Sequence, residues 1–182
     1  MKGSAVNDVT IMALNGTAPA IDPTAFIAPG SRIIGDVRIG AASSIWYNCV
    51  LRGDVQSIRV GARTNIQDGT VVHVTTRLHP TEIGDDVLIG HLAMIHGCKL
   101  HDRSFVGLGA IVMDGCEIEP TGMLAAGAML TPGKRIAAGE MWAGRPAKYV
   151  RHLRAEEMAS HRAGVAAYVE NARDHARAVK AR

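Results

Sequence analysis

Bulky aromatic side chains are scarce: Phe, Trp and Tyr together number seven in 182 residues, against 20 glycines. Layers of rings therefore cannot fill the core, which disfavours an immunoglobulin-type sandwich and a stacking platform for nucleic-acid bases. Cysteine is sparse too. Cys49, Cys98 and Cys116 are odd in number, widely spaced and outside any CxxC, so they indicate neither a disulfide framework nor a thiolate metal site. A reducing, cytoplasmic setting suits them. No stretch approaches the ~18 apolar residues of a membrane span, and the first 20 residues lack the long apolar run of a secretory leader. No membrane partner is expected.

What is present is an ordinary globular balance, 47% apolar and 20% charged, with a net charge of +3. At this length one domain over 1–182 is the default reading. Nine of the basic and four of the acidic residues lie between Arg145 and Arg182, so the tail carries +5 and the remainder −2. A basic tail of this kind reads as a solvated helix face, and without an accompanying motif no nucleic-acid partner is expected.

The dominant signal is a repeat. Aliphatics stand six apart at Ile27, Ile33, Ile39, Ile45 and Leu51, then at Val60, Ile66 and Val72, and again at Ile83, Ile89 and Ile95. The series continues through Leu100, Val106, Val112, Ile118, Leu124, Leu130 and Ile136 to Trp142. Steps of nine after Leu51 and eleven after Val72 read as loops of three and five extra residues. A period of six matches short strands joined by turns, each placing one aliphatic inward, with three strands to a coil of 18 residues. The sequence thus predicts an all-β fold, a parallel β-helix of about six coils over about 21–146. An Ala-rich segment follows, with Met158, Val165, Tyr168, Val169 and Ala172 at helical spacing, which predicts a C-terminal α-helix over about 155–179. The segment Met1 to Ala20 reads as an irregular lead-in strand.

Coil arithmetic turns the histidines into geometry. His73 and His96 are 23 apart, and removing the five-residue insertion leaves one coil of 18. Arg52 precedes His73 by 21, and removing three again leaves 18. These three should form a column on one face, with neighbouring strands roughly 4.8 Å apart. His91 falls near a different corner, so a neighbouring subunit would have to supply it to an ion held by His73 and His96. Three sites between three chains imply a homotrimer. Asp68 and His91 also differ by one coil, which puts a carboxylate under His91. Three imidazoles with an open fourth position match a catalytic zinc site.

Arg52-Gly53-Asp54, Asn65-Ile66-Gln67-Asp68-Gly69 through His73, and Ile89-Gly90-His91 through Ile95-His96-Gly97-Cys98 resemble the gamma-class carbonic anhydrase family and its bacterial carbonic-anhydrase-like members. The resemblance implies a left-handed prism of hexapeptide repeats and a homotrimer. It also implies zinc, with Fe2+ or Co2+ as alternatives, held between subunits by His73, His91 and His96. Carried over, Gln67 would bond the metal-bound water, Arg52 would pair with Asp68 across the interface, and Asp54 would hold Arg52. Zinc lowers the pKa of a bound water to about 7, so a nucleophile for CO2, giving bicarbonate, exists at neutral pH. The family's archaeal member carries a glutamate where this sequence has Val55, and the loop from Val74 to Pro80 has no carboxylate but offers His79 as a proton carrier. Slow hydration is expected. Tyr168 resembles a terminal-helix tyrosine of bacterial members near the metal. The rivals are a hexapeptide acyltransferase acting on an acyl-CoA, with a histidine as general base, and a non-catalytic metal-binding trimeric scaffold.

Overall fold

The computed structural model describes residues 8–181. Its strands wind into a left-handed parallel β-solenoid of about seven turns, closed by one terminal helix. Three faces make the prism. One runs through Val71–His73, Met94–His96, Ile111–Val112 and Met129–Leu130. A second runs through Thr81–Ile83, Lys99–Leu100, Glu117–Ile118 and Arg135–Ile136. The long strand Val50–Val60 bends across the corner between them and pairs with both. The third face carries Ser44–Ile45, Asn65–Ile66, Leu88–Ile89, Phe105–Val106 and Met123–Leu124.

The six-residue frame is the core. Of its nineteen positions, seventeen are buried, and Ile27 and Trp142 at the two ends are half-buried against the same cluster. Nothing larger than Leu or Ile points into the middle coils, because a triangular tube this narrow has room for one branched aliphatic per face and coil. The aromatics lie outside. Phe26, Trp46, Tyr47 and Tyr168 gather beneath the helix, and the Trp46 and Tyr168 rings meet edge to face at 5.4 Å.

Both insertions fall where the spacing slips. Gly35 pairs with Gly53 but Val37 pairs with Ile58, so Asp54 to Ser57 occupy the length given below to Asp36 alone. The second forms a small loop bridged between Thr75 and His79. The one-residue contraction after Ile95 is taken up at Gly97, whose φ is +51°. A Cβ there would stand 2.5 Å from Asp114 Oδ1 and 2.8 Å from His79 Cβ, so only glycine fits.

The solenoid is longer than the expected six coils over 21–146. Thr10–Met12 and Ala20–Ile21 both pair in parallel with Arg32–Ile39 and form a lead-in coil. Ile21 continues the six-residue frame one step before Ile27 and packs against the core, whereas Thr10–Met12 lies before the frame begins and is held by its backbone pairing with Arg32–Ile39. Of the lead-in segment, residues 1–7 lie outside the described residues. At the other end Glu140–Ala143 and Lys148–His152 pair antiparallel, a hairpin that the repeat could not signal. The helix spans Ala155–Lys180 and lies along the third face of its own chain, burying Val165 and Ala172. Among the described residues no helix is long and apolar enough to cross a membrane. Ile89→Ala is expected to cost about 2–5 kcal/mol in chemical denaturation and Ile27→Ala clearly less; equal losses would contradict a core graded from the middle coils to the end.

Candidate metal centre

His73 and His96 are direct cross-strand partners, as the spacing required. They stand on the outer side of the first face, because the intervening frame residues Val72 and Ile95 point inward. His73 Nδ1 lies 3.0 Å from His96 Nε2, with ring centroids 5.0 Å apart.

Each ring is held from behind by a carboxylate. His73 Nε2 lies 2.9 Å from Asp54 Oδ1, and His96 Nδ1 lies 2.6 Å from Asp114 Oδ1. Burial pushes the Asp54 carboxyl up, but the hydrogen bonds from His73 and Arg52 outweigh it and hold it below its usual range. Asp114 follows the same pattern: burial raises it, while His96, Thr75 and the charge of His79 bring it lower. An ionised carboxylate only accepts, so His73 Nε2 and His96 Nδ1 both carry hydrogen. In neutral rings the facing nitrogens, His73 Nδ1 and His96 Nε2, are then two bare lone pairs at 3.0 Å. In that tautomer the pair has no hydrogen to share, and two nitrogens so placed can both donate to one cation. Imidazoles backed by carboxylates are also the usual arrangement of histidine metal ligands, since the rear bond fixes ring and tautomer.

Asp114 is the residue that the sequence reading missed. Counting by coil does not lead to it, because Ile95 pairs with Val112 at an offset of 17 and the register partner of His96 would be Met113; its second oxygen accepts from Thr75 Oγ1 at 2.8 Å. Asp54, read only as a partner of Arg52, also holds His73; the Arg52 guanidinium does bond its other oxygen. The three-residue insertion lets one carboxylate meet both.

The remaining site residues gather at the corner that closes the third face. His91 Nδ1 lies 2.9 Å from Asp68 Oδ2, the contact expected from the coil count. Gln67, 3% exposed, donates to Asn65 Oδ1 at 3.1 Å. Tyr168 packs edge to face on Trp46, and burial, with the charge of Asp68, raises its phenol. His79 lies at the opposite edge of the first face, next to Gly97 and Gly115. The structure thus divides the sequence-read residues into two sets, Arg52, Asp54, His73 and His96 on a face, and Gln67, Asp68 and His91 on a corner. Among the described residues of a single chain, no three His, Cys, Asp or Glu side chains converge where they could hold an ion.

No family model matches the chain. It is 48% identical over 172 residues to mitochondrial gamma carbonic anhydrase 1 of Arabidopsis thaliana, an alignment covering 92% of this chain and 62% of the plant protein. It is 44% identical over 144 residues to a probable carbonic anhydrase of Methanocaldococcus jannaschii, covering 79% of this chain and 90% of the archaeal one. Among solved structures, a hexapeptide transferase family protein from Anaplasma phagocytophilum superposes with a TM-score of 0.87 at 48% identity, covering 91% of this chain and 97% of that one. The chain spans under two thirds of the plant relative's length and nearly all of the archaeal relative's, and on that similarity it belongs to the gamma carbonic anhydrase family.

Proposed function

We propose that the chain is a metal-dependent carbonic anhydrase-like enzyme that interconverts CO2 and bicarbonate at sites shared between the chains of a homotrimer. The facing lone pairs of His73 and His96 carry this reading. Two nitrogens prepared in this way are an incomplete ligand set, and His91 is the third imidazole with a carboxylate at its back. A second copy must bring it, since its own chain holds it at another corner.

The surface beside His91 supports assembly. Leu92 is 72% exposed and adopts φ +59°, where the neighbouring coils place Asn48, Gly69, Gly109 and Gly127. A bulky side chain in that left-handed region costs about 1–2 kcal/mol, and here it also forgoes burial. Leu108 on the corner and Met94 on the ligand face are exposed as well. A contiguous apolar rim around polar ligands is the composition of an interface between copies.

A divalent ion, zinc by the imidazole donor set, with Fe2+ or Co2+ also compatible, would supply an acidified water as the nucleophile for CO2. The chain's own groups do the rest. Asp54 and Asp114 keep the ligand nitrogens bare by holding the protons at the rear. Gln67, on the turn below His91, offers a neutral carboxamide that orients a reacting water without adding charge. Arg52 pairs with Asp68 of the next chain and ties site to interface. A cytoplasmic location fits the three buried free thiols.

Purified protein is expected to sediment as three chains and carry about one divalent ion per chain. Asp114→Asn is expected to weaken metal binding about 10–100-fold with the trimer retained, and His91→Ala to weaken it further. Full occupancy in a monomer would overturn the shared site. Arg52→Ala removes the cation that faces Asp68 across the interface, so the thermal midpoint of the trimer should fall; a parental midpoint would remove Arg52 from the interface. Hydration should be slow and should rise with imidazole buffer at fixed pH and ionic strength, because Val55 and the loop around His79 lack a carboxylate to carry the proton. A metal-independent protein that transfers acyl groups from an acyl-CoA would instead establish the transferase reading.

A further inference from the structure

We propose that the groove between the terminal helix and the third face is a binding site for a small aromatic monocarboxylate. The groove encloses about 300 Å³, the small end of the range of ligand pockets. Its floor is aliphatic: Leu88 from the prism, and Val165 and Val169 from the helix. One wall is flat. Phe105, the outward residue of its strand, stacks on His161 of the helix with centroids 4.4 Å apart and planes 12° apart. Burial lowers the His161 ring below the usual imidazole range, against the charge of Glu157, so near neutrality it offers surface rather than charge. A planar apolar body fits such a wall by offset or edge contact.

Charge sets the other half of the ligand. Three guanidiniums, of Arg63, Arg103 and Arg162, stand around the groove with a single carboxylate, Asp86. Asp86 is already spent on Arg63, with contacts of 2.6 and 2.7 Å. Arg103 and Arg162 enter no ion pair among the described residues, which leaves a surplus of positive charge at the rim. A guanidinium fork matches a planar carboxylate with two parallel hydrogen bonds. Asp86 at the same rim disfavours a dianion such as phosphate.

The groove stands clear of the metal centre. Arg63, Asp86 and Arg103 precede the strands of the third face, whereas Asp68, His91 and Leu108 follow them. The two corners are opposite edges of that face. This inference does not depend on the proposed activity.

The test is calorimetric titration of the trimer with benzoate, using benzamide and inorganic phosphate as comparisons. One benzoate per chain is expected, with benzamide and phosphate at least tenfold weaker. The double change Arg103→Gln and Arg162→Gln should weaken benzoate at least tenfold, and His96→Ala should leave it unchanged. Benzoate affinity that survives loss of both arginines would overturn the proposal, as would equal affinity for benzamide or phosphate. Loss of benzoate binding in His96→Ala would assign the anion to the metal centre instead. The comparison of benzoate with benzamide uses the parent protein, so it decides even if a variant fails to fold.

Discussion

Each coil of this prism can lie only on a coil of matching register, because parallel strands share one slanted ladder of backbone hydrogen bonds, and a slip of one residue would turn every inward aliphatic outward. Register is thereby enforced by the burial of Ile33, Leu51, Ile66, Ile89, Ile118 and their equivalents. Once it holds, a residue and its partner one coil later must be neighbours. His73 with His96 and Asp68 with His91 owe their contacts to that translation.

The ladder also explains why insertions sit beside the chemistry. A regular coil repeats the same contacts and leaves side chains no way to cross a column. The extra residues from Asp54 to Ser57 break that monotony, and Asp54 reaches both Arg52 and the ring of His73. The loop between Thr75 and His79 does the same one coil higher, locking onto Asp114 through Thr75. At Gly97 three elements crowd together, and the missing side chain is what admits Asp114 and His79.

Outside the tube the economy differs. A prism of aliphatics has no place for rings, so Phe26, Trp46 and Tyr168 lie against its third face and the helix covers them. The cover is uneven: it is tight where Ala172 meets Trp46 and Phe26, and open where arginines stand opposite one another around Phe105 and His161. One face of the prism thus carries both a sealed cluster and a cavity. Leu92, at its edge, is exposed and held in the left-handed region.

The sequence alone determined the coil, its period, the two insertions and the helix, because burial of one aliphatic every six residues is a property that the chain writes in order. It also determined which histidines stack, since stacking follows from counting. The rear hydrogen bonds of the imidazoles were beyond that arithmetic. Whether Asp114 reaches His96, or Asp54 turns to His73, depends on loop path and side-chain direction rather than on register. The lead-in coil, the closing hairpin and the groove beside Phe105 were equally hidden, since each arises where the repeat stops or where two elements meet without a shared period. Translation along the solenoid is local and legible; the meeting of surfaces that do not repeat is settled only by tertiary packing.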